Sequence, residues 1–156
     1  MKKYLFVLAA VLVSCTANSN KIIEEEPFWL GADLGWITEY EANGYNFYNN
    51  QGQKREATAL MKELGLNAVR HRVWVDPSKH GNWCSKEDLL VKCLRAKALD
   101  MEILVDFHYS DWWADPAKQN IPASWSGHSY EQMKQDLWNH TVEVLNYLKD
   151  NDITPK

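Results

Sequence analysis

The chain of 156 residues has only three cysteines, no run of basic residues and no glycine-rich loop of the kind that holds phosphate. Its formal net charge is −4, and the first fourteen residues contribute Lys2 and Lys3 without any acid, so the remainder carries −4 − 2 = −6. Binding to nucleic acid depends on neutralising phosphates with basic side chains, and this charge therefore argues against a nucleic acid partner. A serine- or cysteine-centred nucleophile motif is absent too. In contrast, tryptophan is abundant, with eight copies.

The N-terminus has the pattern of an export signal. A basic "MKK" precedes the apolar "YLFVLAAVLV", which is too short to span a bilayer as a stable helix. The next residues, "LVSC", resemble a bacterial lipobox, in which cleavage leaves Cys15 as the lipidated N-terminus. We expect a signal peptide over 1–14 and a polar tether over 15–27, which predicts an exported lipoprotein, periplasmic or on the cell surface, held at the membrane by its lipid alone. The alternative is an ordinary secretory signal in which Cys15 has no role.

The other two cysteines are predicted to be unpaired. Cys84 precedes a helix start at "SKED" and Cys93 lies within that helix, nine residues further on. At ~1.5 Å per residue this is about 13 Å, whereas a disulfide needs Cα atoms within about 7 Å. Cys93 is expected to be a core residue.

One pattern recurs along the chain: a helix end, a breaker and an apolar strand. It occurs in "KELGLNAVRHRVW" (62–74) and "AKALDMEILVDFH" (96–108), and it starts again in "LKDNDITPK" (148–156). Before these breaks, apolar residues recur with helical spacing, and capping boxes at Ser85 and Ser129 predict two helix starts. The helical faces are Ala57, Leu60, Met61 and Leu64 in the first helix, and Tyr130, Met133, Leu137, Thr141, Val144 and Leu148 in the third. With a first strand over 28–35, the order is β-α-β-α-β-α and a fourth strand is due, which predicts a parallel sheet.

The alternation of side chains along the strands suggests a barrel. Arg70, Arg72 and Trp74 share one face of their strand, while Val69, His71 and Val73 share the other. In the next strand, Asp106 and His108 face one way and Ile103, Val105 and Phe107 the other. A doubly wound sheet is apolar on both faces, whereas a barrel interior turns polar toward its catalytic mouth. Long segments after the strands (35–53, 75–85 and 108–128) place function at the strand C-termini.

The mouth would combine carboxylates, basic groups and indoles. Its candidate residues are Asp33, Arg70, Arg72, Trp74, Asp106, His108, Asp111, Trp112, Trp113 and Asp115. Indole rings offer flat apolar faces to the C–H face of a pyranose, and the polar groups can bind its hydroxyls, so a sugar cleft is predicted. Alternatively, Trp74 and one of Trp112 and Trp113 belong to the core, because indoles more often pack than bind.

A metal site is a competing interpretation of the same residues. Asp106 and His108 share a strand face and Asp111 lies near, but no second histidine has ligand spacing and Arg70 and Arg72 would repel a cation. The sequon "NHT" (139–141) falls within a predicted helix and is given no role. We therefore expect no cofactor and no metal.

Three blocks of the sequence resemble a known family. These are "GADLGWITEYEANGYNFYN" (31–49), "NAVRHRVWVDP" (67–77) and "DFHYSDWWADPAKQNIPASW" (106–125), which are similar to the endo-β-1,4-galactanases of glycoside hydrolase family 53. The resemblance implies an α/β fold, a (β/α)8 TIM barrel of which residues 28–156 would form the first three βα units. It also implies an exported retaining enzyme that cuts the β-1,4-galactan of pectic arabinogalactan.

By position, the resemblance assigns substrate-binding or supporting roles. Arg70 matches the arginine of the second barrel strand that helps hold the nucleophile, and His108 and Trp113 match positions lining the cleft. Asp33, Asp106 and Asp115 match acidic family positions, and the resemblance implies for each of them substrate binding or support of the active site. Two departures are mild: Asp100 stands where a glycine is usual, and Trp112 replaces a small polar residue.

A third departure concerns the chemistry. The family carries its general acid/base glutamate after an asparagine at the end of the fourth barrel strand and its nucleophile on the seventh. The chain ends at "ITPK", where the fourth strand would begin, so we expect an N-terminal fragment that lacks both glutamates and is inactive alone. The alternatives are a non-catalytic, tryptophan-rich sugar-binding lipoprotein and a self-contained α/β domain with an unrelated ligand.

Overall fold

The computed structural model describes residues 28–156, so the predicted signal peptide, tether and lipidation site at Cys15 lie outside the described residues. In chain order the elements are β1 (Gly31–Asp33), α1 (Ile37–Ala42), β2 (Phe47–Tyr48), β3 (Lys54–Arg55), α2 (Ala57–Glu63), β4 (Ala68–Val73), α3 (Lys86–Ala98), β5 (Glu102–Phe107) and α4 (Tyr130–Lys149). Short 3₁₀ turns cover Ser78–His80 and Ala123–Trp125. Within 28–156, none of the helices combines the length and apolarity needed to cross a bilayer.

The main sheet is parallel, with the strand order β1-β4-β5. Asp33 is in register with Arg70, and Arg72 is in register with Asp106. These are the parallel βα units predicted from the repeated pattern. Because all three strands run the same way, their C-terminal ends meet at one edge, where the loops after β1, β4 and β5 converge.

The hydrophobic core lies between one face of this sheet and helices α3 and α4. It consists of Val69, Val73, Leu89, Cys93, Ala96, Met101, Ile103, Val144, Leu148 and Ile153. The predicted strand alternation is confirmed, since Val69 and Val73 enter this core while Arg70 points to the opposite face. Cys84 and Cys93 are both buried and unpaired, as predicted.

The recurring sequence pattern corresponds to a recurring turn. After α2, α3 and α4, one residue adopts a left-handed conformation, with φ of 93° at Gly65, 53° at Asp100 and 59° at Asp152. The next residue donates its N–H to the carbonyl five residues back: Leu66 to Met61, Met101 to Ala96 and Ile153 to Leu148. This is the Schellman ending of a helix. The left-handed conformation explains why glycine is usual where this chain has Asp100.

A further strand position is marked beside β5. After α4, Ile153 is buried, and the Lys156 N–H donates to the Ile103 carbonyl at 3.0 Å. The backbone therefore starts to run alongside β5 where the pattern predicted a fourth strand.

Several details differ from the sequence expectations. The segment 35–53, expected to be a loop, contains α1 and β2, and β2 pairs antiparallel with β3. The first strand was predicted over 28–35, but the observed strand β1 is shorter and covers only Gly31–Asp33. Leu64, assigned to the apolar face of α2, is exposed because it caps the helix C-terminus. Tyr130 and Leu137 are exposed on α4, so only the C-terminal half of its predicted face is buried.

The capping boxes form to different extents. At Ser129 both halves are present, since Gln132 reaches back to the Ser129 N–H. At Ser85 the side chain caps the Asp88 N–H, but the Asp88 carboxylate accepts the Cys84 N–H instead of closing the box. This difference matters because it leaves Asp88 free to pair with Lys92.

Candidate active-site cleft

Four charged side chains meet at the C-terminal edge of the sheet. The Arg70 guanidinium on β4 lies between two carboxylates, with Nη2 2.6 Å from Asp33 Oδ2 and Nη1 3.5 Å from Asp106 Oδ2. Arg72, also on β4, donates from Nη2 to Asp33 Oδ1 at 3.1 Å. We call Asp33, Arg70, Arg72 and Asp106 the charged cluster. Its two guanidinium groups balance its two carboxylates.

The charged cluster keeps Asp33 ionised. Burial raises the pKa of this carboxyl, but the Gly35 N–H and the Arg70 and Arg72 guanidinium groups outweigh burial and lower its pKa overall. The hydrogen bond to Asp33 in turn raises the pKa of Arg70. Asp33 is therefore suited to holding arginine side chains in place and unsuited to donating a proton, which requires a raised pKa.

His108 completes the polar end of the cleft. The Trp74 indole N–H donates to its Nδ1 at 3.4 Å, so Nδ1 is unprotonated and Nε2 carries the hydrogen. The Nε2–H then points at Asp106 Oδ2, 3.2 Å away. The ring thus links the core residue Trp74 to the charged cluster.

Four indoles lie around His108 and the charged cluster. We call Trp36, Trp74, Trp112 and Trp113 the indole cluster. Arg72 lies over the rings of Trp36 and Trp113, at 4.8 and 4.6 Å from their centroids. Trp36 and Trp113 stack at 22°, with centroids 6.2 Å apart. These contacts bury Arg72 almost completely, although it lies on the polar face of its strand.

The two adjacent indoles of the loop after β5 have different surroundings. Trp112 packs against the buried Trp74 at 4.6 Å and against His80 at 3.8 Å, so it joins the loops after β4 and β5. Trp113 stacks beside Trp36 and makes an edge contact with His108 at 5.5 Å. Trp74 is a core residue, as the packing alternative predicted, and Trp113 is the indole placed beside the charged cluster.

Two predicted mouth residues have local roles instead. Asp111 accepts the backbone N–H of Asp76 through Oδ1 and that of Ala123 through Oδ2, so both oxygens hold loops together. Asp115 accepts the Ala117 N–H within its own turn, and among the described residues no hydrogen bond or ion pair joins it to the charged cluster. Asp33, Arg70, Asp106, His108 and Trp113 therefore form one group, and Asp115 stands apart from it.

The same contacts disfavour the metal interpretation. Asp106 lies against Arg70, and both oxygens of Asp111 are committed to backbone donors. Within 28–156, no cluster of three or more histidine, cysteine or acidic side chains is arranged to hold a metal ion.

A buried ion pair beneath the cleft escaped sequence analysis. Lys92 of α3 is fully buried, with Nζ 2.8 Å from Asp88 Oδ2 and 3.0 Å from the Gly35 carbonyl. Asp88 also accepts the Cys84 N–H at 2.7 Å. The pair therefore connects α3 to the turn after β1 and to the loop after β4. The nearby His71 is buried without a hydrogen-bond partner in the described chain, and burial, followed by the charge of Lys92, lowers its pKa to about 3.

A cavity of about 680 Å³ lies between the loop after β5 and the start of α4. Its lining is mainly apolar and includes Phe107, Tyr109, Trp125 and Met133. In a (β/α)8 barrel the next strand lies beside β5, on this side of the sheet. This cavity is therefore separate from the charged cluster and the indoles at the strand ends.

Parallel βα units with carboxylates, guanidinium groups and indoles at the strand C-termini have the arrangement found at the mouth of (β/α)8 barrel proteins. Residues 29–156 match the model of glycosyl hydrolase family 53. The chain belongs to this family.

Curated relatives agree with this assignment. An arabinogalactan endo-beta-1,4-galactanase of Cellvibrio japonicus is 35% identical over 159 aligned residues, which cover 99% of this chain and 41% of that protein. An endo-beta-1,4-galactanase of Bacillus subtilis is 38% identical, covering 76% of this chain and 29% of that protein. The chain thus spans about two fifths or less of the length of these relatives.

Solved structures give the same picture. A chain from a study of two fungal beta-1,4-galactanases superposes with a TM-score of 0.77 at 32% identity, covering 82% of this chain and 38% of that one. The GH53 catalytic domain of Ignisphaera aggregans gives a TM-score of 0.76 at 33% identity, covering 85% and 39%. The predicted fold class, part of a (β/α)8 barrel formed by its first βα units, is confirmed.

Proposed function

We propose that residues 28–156 form the substrate-positioning part of an endo-acting, retaining β-1,4-galactanase. The observation that carries this proposal is the charged cluster, in which Arg70 is held between Asp33 and Asp106 with one face open to the cleft. A planar guanidinium fixed in this way can orient a further carboxylate through paired hydrogen bonds. In the proposed enzyme that carboxylate is the nucleophile. The substrate, β-1,4-galactan, is proposed from the family and from the names of the relatives.

The residues of this segment do not themselves provide a working pair of catalytic acids. The Arg70 guanidinium bridges Asp33 and Asp106, and the pKa of Asp33 is lowered overall. A retaining glycosidase needs one protonated carboxyl and one carboxylate about 5–5.5 Å apart. We propose that the two glutamates are supplied by the fourth and seventh barrel strands, and that the 156-residue chain alone releases no reducing ends from galactan.

A hybrid barrel tests the proposal. Residues 28–156 would replace the first three βα units of a family galactanase, and reducing-end release from β-1,4-galactan would be measured with β-1,4-mannan as the comparison. We expect mid-chain cleavage of galactan alone, abolished when the fourth-strand glutamate is changed to glutamine. A folded hybrid that prefers mannan would contradict the proposed substrate. Galactan hydrolysis by the 156-residue chain itself, lost in Asp33→Asn or Asp106→Asn, would contradict the assignment of the acids.

We also propose that the protein is exported and anchored by a lipid on Cys15. The basic "MKK", the apolar segment and "LVSC" support this proposal. In detergent phase partitioning the wild type should enter the detergent phase, whereas Cys15→Ser should stay in the aqueous phase, with Cys84→Ser as the matched control. Equal partitioning of wild type and Cys15→Ser would contradict lipidation.

A further inference from the structure

A second concave surface adjoins the cleft on the side of α1. It is a cavity of about 510 Å³ lined by Trp36, Glu39, Tyr40, Asn43 and Tyr45. This volume is in the range of small-ligand sites. Trp36 belongs both to this lining and to the indole cluster, so the cavity lies next to the cleft. We call it the α1 cavity.

Two tyrosines form the aromatic wall of the α1 cavity. Tyr40 and Tyr45 have ring centroids 5.4 Å apart at 60°, and the backbone N–H of Tyr45 donates to the Tyr40 carbonyl, which holds the two backbone segments together. Their side chains are nevertheless open to solvent, at 46% and 64% exposure. An exposed aromatic pair next to a third ring offers apolar faces to a ligand, and a tyrosine has only two side-chain torsions to immobilise.

The polar wall of the same cavity offers hydrogen-bond acceptors. The Asn43 side-chain amide donates to the Glu39 carbonyl, and its Oδ1 has no partner among the described residues. The Glu39 carboxylate likewise makes no hydrogen bond or ion pair within 28–156, and its Oε2 is shielded from solvent. Hydroxyl groups of a sugar are the donors that such oxygens lack.

We propose that the α1 cavity is a distal binding site for the galactan chain, in which Tyr40 and Tyr45 stack against galactose rings that extend beyond the cleft past Trp36. This inference rests on the proposed function. The ligand chemistry is a neutral glycan: it presents apolar ring faces to the tyrosines and hydroxyl donors to Glu39 and Asn43. An anionic glycan is disfavoured by the carboxylate of Glu39.

Affinity electrophoresis of the 156-residue chain tests the proposal, with β-1,4-galactan in the gel and galactobiose as a competitor. Tyr40→Ala and Tyr45→Ala should each weaken galactan retardation about five- to tenfold, as expected for the loss of one aromatic contact. The matched control is Tyr48→Ala, because Tyr48 is 57% exposed in the same segment but does not line the cavity. The galactobiose concentration needed for competition measures binding of the short sugar in the cleft, and it should not change in the Tyr40 and Tyr45 variants. Circular dichroism checks that each variant keeps its fold.

The outcomes separate this inference from the proposed function. Retardation of the wild type that is weakened by the Tyr40 and Tyr45 variants and not by Tyr48→Ala supports the distal site. Retardation that is unchanged in all three variants overturns the distal site and leaves the proposed function standing. A wild-type chain that galactan does not retard overturns both. Equal weakening in Tyr48→Ala overturns the distal site as well, because the effect would then not follow the cavity.

Discussion

Replacing Lys92 with methionine should destabilise the fold far more than any surface charge change. The side chain is fully buried, its Nζ lies 2.8 Å from Asp88 Oδ2, and it also donates to the Gly35 carbonyl. Methionine fills a similar volume but leaves the partly buried Asp88 carboxylate without its counter-ion and the buried Gly35 carbonyl without its strongest donor. Removal of one partner from a buried pair costs about 3–5 kcal/mol, a large part of the ~5–15 kcal/mol that stabilises a typical domain.

Urea unfolding followed by tryptophan fluorescence measures this loss. The matched control is Lys134→Met, because Lys134 pairs with Glu131 at 2.6 Å but is 63% exposed, and exposed pairs are worth about 0–1 kcal/mol. Adding Asp88→Leu to Lys92→Met should recover part of the loss, since the unpaired carboxylate is then removed. A Lys92→Met variant that loses less than about 1 kcal/mol, with an unchanged slope against urea, would refute the role of this pair.

Three further outcomes are expected. Because of His71, the free energy of unfolding should fall by about 2 kcal/mol from pH 7 to pH 5, since the histidine of the unfolded chain takes up a proton near pH 6.5 whereas the buried ring does so only at a pKa of about 3. Urea titrations at both pH values should show that this pH dependence is lost in His71→Leu. An equal pH dependence in that variant would contradict the role of His71. Asp100→Gly should raise the free energy of unfolding by about 0.5–1 kcal/mol, because Asp100 has a left-handed φ of 53° that glycine adopts more easily. Gly65→Ala should lower the free energy of unfolding by a similar amount for the same reason. A loss of stability on Asp100→Gly would contradict this. In the hybrid barrel, Arg70→Lys should keep the melting temperature within a few degrees but lower kcat about 100-fold. The reason is that a lysine ammonium cannot bridge Asp33 and Asp106 as the planar guanidinium does. Near-normal turnover would mean that Arg70 has only a structural role.

The sequence predicted the features that depend on local periodicity. The alternation of Arg70 and Arg72 with Val69 and Val73 assigned the two faces of β4 correctly, because strand neighbours point to opposite sides. The helix starts at Ser85 and Ser129 were marked by their own side chains. Such signals act over a few residues, so a single chain is enough to reveal them.

The features that the sequence did not reveal depend on contacts between distant segments. Helix α1 has six residues, too few for a helical period to stand out. Lys92 is charged, and a charged residue on a helix is normally predicted to be exposed. Its burial depends on a hydrogen bond to the Gly35 carbonyl, which is distant in sequence. Trp36 was overlooked although an indole so soon after a strand end was a usable signal. Asp111 and Asp115 were grouped with the cleft by proximity in sequence, whereas hydrogen bonds decide where their carboxylates point.

The repeated left-handed turns after α2, α3 and α4 have a consequence for how such a chain can be rearranged. Each turn releases the backbone toward the sheet with the same hydrogen-bond pattern, at Gly65, Asp100 and Asp152. The geometry of each junction is thus set by a few consecutive residues and not by the βα unit that follows. Segments exchanged between related proteins at these turns should therefore enter the sheet in the correct direction, which makes the turns natural crossover points for recombination within the family.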